Sequence, residues 1–374
     1  MEFDEARFAA LLRNLMKSFA SVKSFASMTR VLSICILSMI VPVAPCAMAS
    51  SAPSASQESA LKEFIALEPV DAHTHVYRDD PAFSAMLQRL HLHVLDVLVV
   101  DVKDDATHRT LDSLKQGALQ FVSSNPGRAS LSTTFNPFTW NDPGFPSSVI
   151  ASLNQDFAHG AVGMTTWTNL GMVLKDASGK PVMLDDPKLQ LIYKDIAAKH
   201  KTLIAHITTA DEAWSPATDA SSNPQSSVPA ILQSRDRILQ QNPHLRVVGA
   251  HLGSLKDDLD QVGRRMEQYP DFAVDTSGRI DYLTTQPREQ VLAFLLKFQD
   301  RILYGSDLGF RKADVTGDAI ELWQSRYALD WRYFSSDDTF DYKGRQVHGL
   351  HLPAPVLRKL FRDNAIRWVP GIAH

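Results

Sequence analysis

Eight short runs rich in β-branched residues recur along this chain, and segments of helical period separate several of them. The runs read PVDAHTH, VLDVLVVDV, ASLSTTFNP, GAVGMTTW, TLIAHITT, RVVGAHLG, FAVDTS and RILYGSD. Between them, stretches such as HRTLDSLKQGALQFVSS and DPKLQLIYKDIAAKH repeat apolar residues three and four apart, the spacing of one helix face. Strand–helix alternation specifies a parallel sheet covered by helices. Eight units specify a closed (β/α)8 TIM barrel. A doubly wound open sheet is the alternative, but no Gly-rich phosphate loop follows the first run.

The barrel does not account for the whole chain. From Met28 the sequence runs MTRVLSICILSMIVPVAPCAMAS: a basic start, an apolar stretch and a small-x-small site at Ala47–Ala49. This is the pattern of an export signal over residues 1–49, with 28–49 as its core and the start codon open to revision. It implies a periplasmic or secreted protein, with membrane attachment only if the leader stays uncleaved. Residues 50–60, SSAPSASQESA, read as a polar linker. Residues 61–374 are left for the barrel, a length one such domain accommodates. Both cysteines, Cys35 and Cys46, lie in the leader, so a metal site in the mature domain must use nitrogen and oxygen. The formal net charge is −4 and no dense basic stretch is present, which excludes a nucleic-acid partner.

In a barrel of this kind the chemistry sits at the C-terminal ends of the strands. His73 and His75 end the first run, His206 the fifth, His251 the sixth and Asp307 the eighth. Around a closed barrel these ends converge on one mouth, and residues two apart on a strand share a face. A second His-x-His pair, His91 and His93, tests the logic. It stands at the opposite, N-terminal end of the second run and reads as a helix-to-strand boundary.

The motifs DAHTH, IAHI, GAHLGS and LYGSDLG, with the C-terminal LHLPAPVLRKLFRDNAIRWV and its Asn364, resemble the amidohydrolase superfamily. The similarity is greatest to the amidohydrolase-related branch, which contains aminocarboxymuconate semialdehyde decarboxylase. The resemblance implies a metal-dependent hydrolase type of barrel with one divalent metal on His73, His75, His206 and Asp307, and His251 beside it. Where two-metal members carry a bridging lysine on the fourth strand, this chain has Thr165, Thr166 and Thr168, which favours a single ion. Such a donor set suits Zn first, and Mn, Fe or Co as well.

The chemistry expected from that set is hydrolysis of an ester, lactone or amide of a small organic molecule by a metal-bound water. Asp307 would take the proton and His251 would orient the water or protonate the leaving group. Decarboxylation of an aromatic or unsaturated acid is the alternative. The ligand set does not separate the two, and the export signal tips the reading toward hydrolysis. An exported binding protein without catalysis is a third reading. Trp167 and Asn169 after the fourth run, Trp214 after the fifth and Arg279 after the seventh are candidates for contacting substrate. Arg279 reads equally as a salt-bridge partner of Asp275 or Asp281, and the tryptophans as packing residues. Two insertions leave the mouth, one after the fifth run and one after the eighth. The aromatics of the second are expected to form a lid or a contact between copies in a homo-oligomer.

Overall fold

The computed structural model describes residues 55–100, 107–167, 169–207, 228–255 and 258–372. The expected leader, Trp214, Thr168 and most of the insertion after the fifth run lie outside the described residues. The eight runs appear as β1 (Val70–Val76), β2 (His93–Val97), β3 (Ala129–Thr133), β4 (Gly163–Thr166), β5 (Thr202–Ala205), β6 (Val247–Gly249), β7 (Phe272–Asp275) and β8 (Ile302–Leu303). A short ninth strand, β9 (Leu308–Phe310), follows β8 almost at once. Neighbours pair in parallel in the order β8-β7-β6-β5-β4-β3-β2-β1-β9.

That order shows how the sheet closes. The eighth run supplies β8, which pairs with β7, and the residues directly after the run supply β9, which pairs with β1. Between them the Ala72 N–H donates to Tyr304 O at 2.9 Å and the Asp307 N–H to His73 O at 3.0 Å. The broken strand therefore serves both edges of the curled sheet, and Asp307 lies at the break.

Alternation along the strands builds two cores. Val70, Ala72, Leu95, Val97, Ile204, Val248, Ala273 and Leu303 pack together inside the barrel. Their neighbours Val94, Leu203, Val247, Phe272 and Ile302 join the cluster between sheet and helices. Period-two burial of this kind fixes register, because a slip of one residue would reverse both faces. The interior cluster also includes Trp368, Val369 and Ile372 from the C-terminus. Asn364 donates to Gln299 O at 2.8 Å and Ile302 O at 2.7 Å, and the Trp368 indole donates to Asp300 O at 2.9 Å. The last helices are thus fastened to the start of β8.

Two expectations change. The helix Ala55–Ala66 occupies the end of the stretch expected as linker. Its Phe64 is fully buried, stacked on Tyr327 at 5.2 Å between ring centroids. The aromatics of the second insertion are not an exposed lid or interface. They lie on the helix Thr316–Ser335 and the hairpin Thr339–Tyr342/Arg345–His348, and Trp323, Tyr327, Trp331, Tyr333, Phe334 and Tyr342 are all buried. Large rings at this density build a second apolar layer rather than a surface. Among the described residues no helix is long and apolar enough to cross a membrane.

Candidate metal centre

The ends of β1, β5, β6, β7 and the broken eighth strand bring their polar residues into one cluster. His73 and His75 reach it through an irregularity. Val70 and Ala72 belong to the inner core, and strict alternation would put Thr74, not His73, on that face. The pairing of β1 with β2 shifts between Asp71 and Thr74, so consecutive Ala72 and His73 both serve the inside. Asp71 fixes this shift. Its Oδ1 accepts the N–H of His73 at 3.1 Å and of Ser306 at 3.0 Å, while the Tyr327 hydroxyl donates to Oδ2 at 2.9 Å.

Hydrogen-bond partners assign the ring nitrogens. A carbonyl oxygen only accepts, so His75 donates from Nδ1 to Val97 O at 2.7 Å and His251 from Nδ1 to Ser277 O at 2.8 Å. Neutral His251 must then accept at Nε2, so His206 donates to it from Nδ1 at 3.2 Å. His73 donates from Nδ1 to the Asp275 carboxylate at 2.9 Å. The lone pairs of His73 and His206 therefore lie on Nε2, while His75 turns its Nε2 toward Asp307. Those of His73 and His206 are buried with no hydrogen-bond partner. A buried ring nitrogen left unsatisfied is costly, and a metal ion is one partner that satisfies it.

Asp307 faces these nitrogens. Its Oδ1 lies 3.3 Å from His75 Nε2 and 3.8 Å from His73 Nε2, with a third of its side chain open to solvent. Burial works against its ionisation, but the His75 hydrogen bond and the fields of His251 and His73 hold the carboxyl well below the usual range. His73, His251 and Asp307 offer atoms that all lie within 4.8 Å of one another. His251 is nevertheless a poor ligand, because both its nitrogens are engaged, Nδ1 as donor and Nε2 as acceptor. His206 joins the group through His251, with ring centroids 4.3 Å apart, and Trp167 covers it at 3.9 Å. Burial, followed by the fields of His251 and His73, keeps His206 neutral well below the ordinary histidine pKa.

Asp275 was missed as a site residue. It is fully buried, accepts from His73, and takes the N–H groups of His251 and Ser277 and the Ser277 hydroxyl on Oδ1. The signal was present: FAVDTS ends the seventh run with a carboxylate where the fifth and sixth runs are followed by histidines. Two glycines make room. A Cβ on Gly278 would stand 2.9 Å from Asp307 Oδ2 and 3.4 Å from His251 Nδ1, and one on Gly305 2.9 Å from His73 Cβ.

His251 itself begins a left-handed turn. His251, Leu252, Gly253 and Ser254 all have positive φ, at 57°, 54°, 66° and 61°. For the three that are not glycine this costs roughly 1–2 kcal/mol each, which surrounding bonds must offset. Asp307 is a further left-handed residue, at φ 65°.

The other candidates divide. Arg279 is buried behind Gly278, donates to Gly278 O at 3.2 Å, stacks on Tyr282 at 5.3 Å, and places its charge where His251 feels it. Of Asn169 only the backbone is described, in a turn after β4. Lys175 sits in an isolated bridge with Pro181, beyond that turn, so the β4 stretch itself presents threonines. His93 opens β2 and bonds Ser130 at 2.9 Å, away from the cluster, as its position implied.

Residues 187–371 match the family model Amidohydrolase. The chain belongs to the amidohydrolase family. The matched span holds His206, His251, Asp275 and Asp307, while His73 and His75 precede it. In fold the chain is similar to 2,6-dihydroxybenzoate decarboxylase complexed with 2,6-dihydroxybenzoate, at 12% identity and TM-score 0.50, covering 80% of this chain and 98% of that one. It is equally similar to an uncharacterised TIM-barrel protein from Bordetella bronchiseptica, at 13% identity and TM-score 0.50, covering 82% and 99%. Curated proteins gave no match.

Proposed function

We propose that this amidohydrolase-family protein is a single-metal enzyme that removes carbon dioxide from a small aromatic or unsaturated carboxylic acid. The observation that carries the metal is the common tautomer of His73 and His206, each with its Nδ1 proton engaged and its Nε2 buried without a hydrogen-bond partner, beside His75 Nε2, which faces Asp307. Those three nitrogens and Asp307 would hold one divalent ion, with Zn and Mn both suited to nitrogen and carboxylate donors. When bound, the ion would supply Lewis acidity toward a substrate carboxylate or neighbouring hydroxyl.

The chain's own groups would do the rest. Losing carbon dioxide leaves an electron pair on carbon, which must take up a proton. His251, whose Nδ1 stands 3.9 Å from Asp307 Oδ2, is the titratable group beside the proposed ligands placed to carry it. Arg279, buried on the same side, is the cation suited to orient an anionic substrate. Trp167 over His206 would give one wall an aromatic face. The likeness in fold to a dihydroxybenzoate decarboxylase supports this choice over hydrolysis. The ground for hydrolysis was export, and the leader lies outside the described residues.

Hydrolysis is kept as the second reading on one observation: a third of the Asp307 side chain is open to solvent, so water can reach a carboxylate beside the proposed ligands. The test is a substrate panel on metal-replete protein. Release of carbon dioxide from hydroxybenzoates, without acid release from esters, lactones or amides, is expected. The reverse pattern would establish the hydrolase. Ligand binding without turnover would leave a binding protein.

A further inference from the structure

We propose that Arg235 is a positioning residue for the site, holding the left-handed turn that presents His251. It lies outside the cluster, on the helix Val228–Gln241, yet its side chain is wholly buried. Its guanidinium donates from Nη1 to Gly253 O at 2.6 Å, inside the turn. The same group lies 4.7 Å over the ring of Phe272, and its other nitrogens donate to Asp236 Oδ1 at 3.1 and 3.3 Å. Asp236 is fixed in turn by Arg265 at 3.0 Å. The charge is therefore balanced and the fork is oriented before it meets the turn.

From outside the turn, side chains restrain it on two sides. On one side Asp275 accepts the His251 N–H at 2.9 Å. On the other Arg235 takes the Gly253 carbonyl. Packing leaves no slack between them. A Cβ on Gly249 would meet Gly253 Cα at 2.8 Å, and one on Gly253 would meet Arg235 Nη1 at 3.1 Å. Without the guanidinium, the carbonyl is buried and unsatisfied and the turn can relax. The first residue to feel this is His251, whose Nδ1 bond to Ser277 and Nε2 bond to His206 fix the tautomers on which the free His206 Nε2 depends. Lysine cannot replace this function, because its single ammonium does not span Gly253 and Asp236.

This inference rests on the reading of His251 as a group of the reacting site, but its test does not depend on which substrate is turned over. Full-length protein labelled with 15N-histidine would be prepared as wild type, Arg235→Met and Arg235→Lys, with His251→Gln used to assign the His251 signals. In wild type, His251 is expected to show a single Nδ1–H tautomer. In Arg235→Met its nitrogen shifts should move toward the tautomer average, and its ring proton should exchange at least about tenfold faster, well below the melting temperature. Arg235→Lys should give a partial shift, and it decides the matter if Arg235→Met does not accumulate folded. A merely structural arginine would lower the melting temperature and leave these signals in place; unchanged His251 resonances in a folded variant overturn the proposal. If the signals move while the substrate panel shows no turnover, the positioning role stands and the proposed function fails.

Discussion

Asp275 accepts the Nδ1 proton of His73 at 2.9 Å, and in doing so leaves the Nε2 lone pair facing Asp307 at 3.8 Å. The carboxylate touches no position a substrate could reach, yet it decides which nitrogen of His73 is available. Asp275→Asn keeps the shape and removes the charge. Metal affinity should fall about 10–100-fold, the usual effect of losing an outer partner of a ligating histidine. His73→Ala and Asp307→Ala should abolish stoichiometric binding. Competition titration with a chromophoric chelator, checked by elemental analysis, measures all three; full affinity in Asp275→Asn would remove it from the site.

Gly278 should tolerate no side chain. Alanine there would bring Cβ to 2.9 Å from Asp307 Oδ2 at a φ of +59°, so metal binding should drop along with stability. Gly179 is the control. It also has positive φ, at +83°, but a Cβ there meets nothing within 4 Å. Gly179→Ala should cost about 1 kcal/mol of stability from backbone strain alone and leave metal affinity unchanged.

Asp96 gives a pH signature. It is buried in β2 with Oδ1 accepting the Val76 N–H at 2.9 Å and Oδ2 unpartnered, and burial, only partly offset by that bond, raises its pKa to about 7. The folded state therefore binds a proton that the unfolded chain has released above its ordinary carboxyl pKa. The contribution of this group to stability is present at low pH and is lost as pH rises through about 7. Asp96→Asn should remove that loss: the variant should gain on the order of 1–3 kcal/mol relative to wild type between pH 5 and pH 8. Denaturant midpoints at the two pH values measure it, and parallel curves would show that Asp96 is not protonated in the fold.

Tyr327→Phe deletes one hydroxyl far along the chain from the ligands. It removes the Tyr327 hydroxyl bond to buried Asp71 Oδ2, which should cost about 1–3 kcal/mol. Since Asp71 ties the His73 and Ser306 amides together, metal affinity should fall as well, by less than in Asp275→Asn. A loss of stability with unaltered affinity would confine Asp71 to the core.

Much of this was legible in sequence because it is periodic. Eight β-branched runs announced the barrel, and histidines or a carboxylate after the first, fifth, sixth and eighth announced where polar groups would gather. What was not legible breaks the period. The shift at Asp71 that turns His73 inward, the break between β8 and β9 at Asp307 and the left-handed turn from His251 are backbone departures held by long-range bonds. No local pattern encodes them. The aromatics from Trp323 to Tyr342 misled for a related reason: composition showed a ring-rich insertion, but only the arrangement of Phe64 and Phe361 around it reveals a core. Trp214 is left untouched by the described residues.

The split eighth strand has a consequence for biosynthesis. Asp307 stands beside His73 where β9 pairs with β1, so the proposed ligands join the first and last segments of the sheet. A ribosome must release nearly the whole domain before any ion can be gripped by the full set. Metal capture would then act as a seal on completed chains, and truncated products, however well their early helices form, would remain unsealed and open to proteolysis.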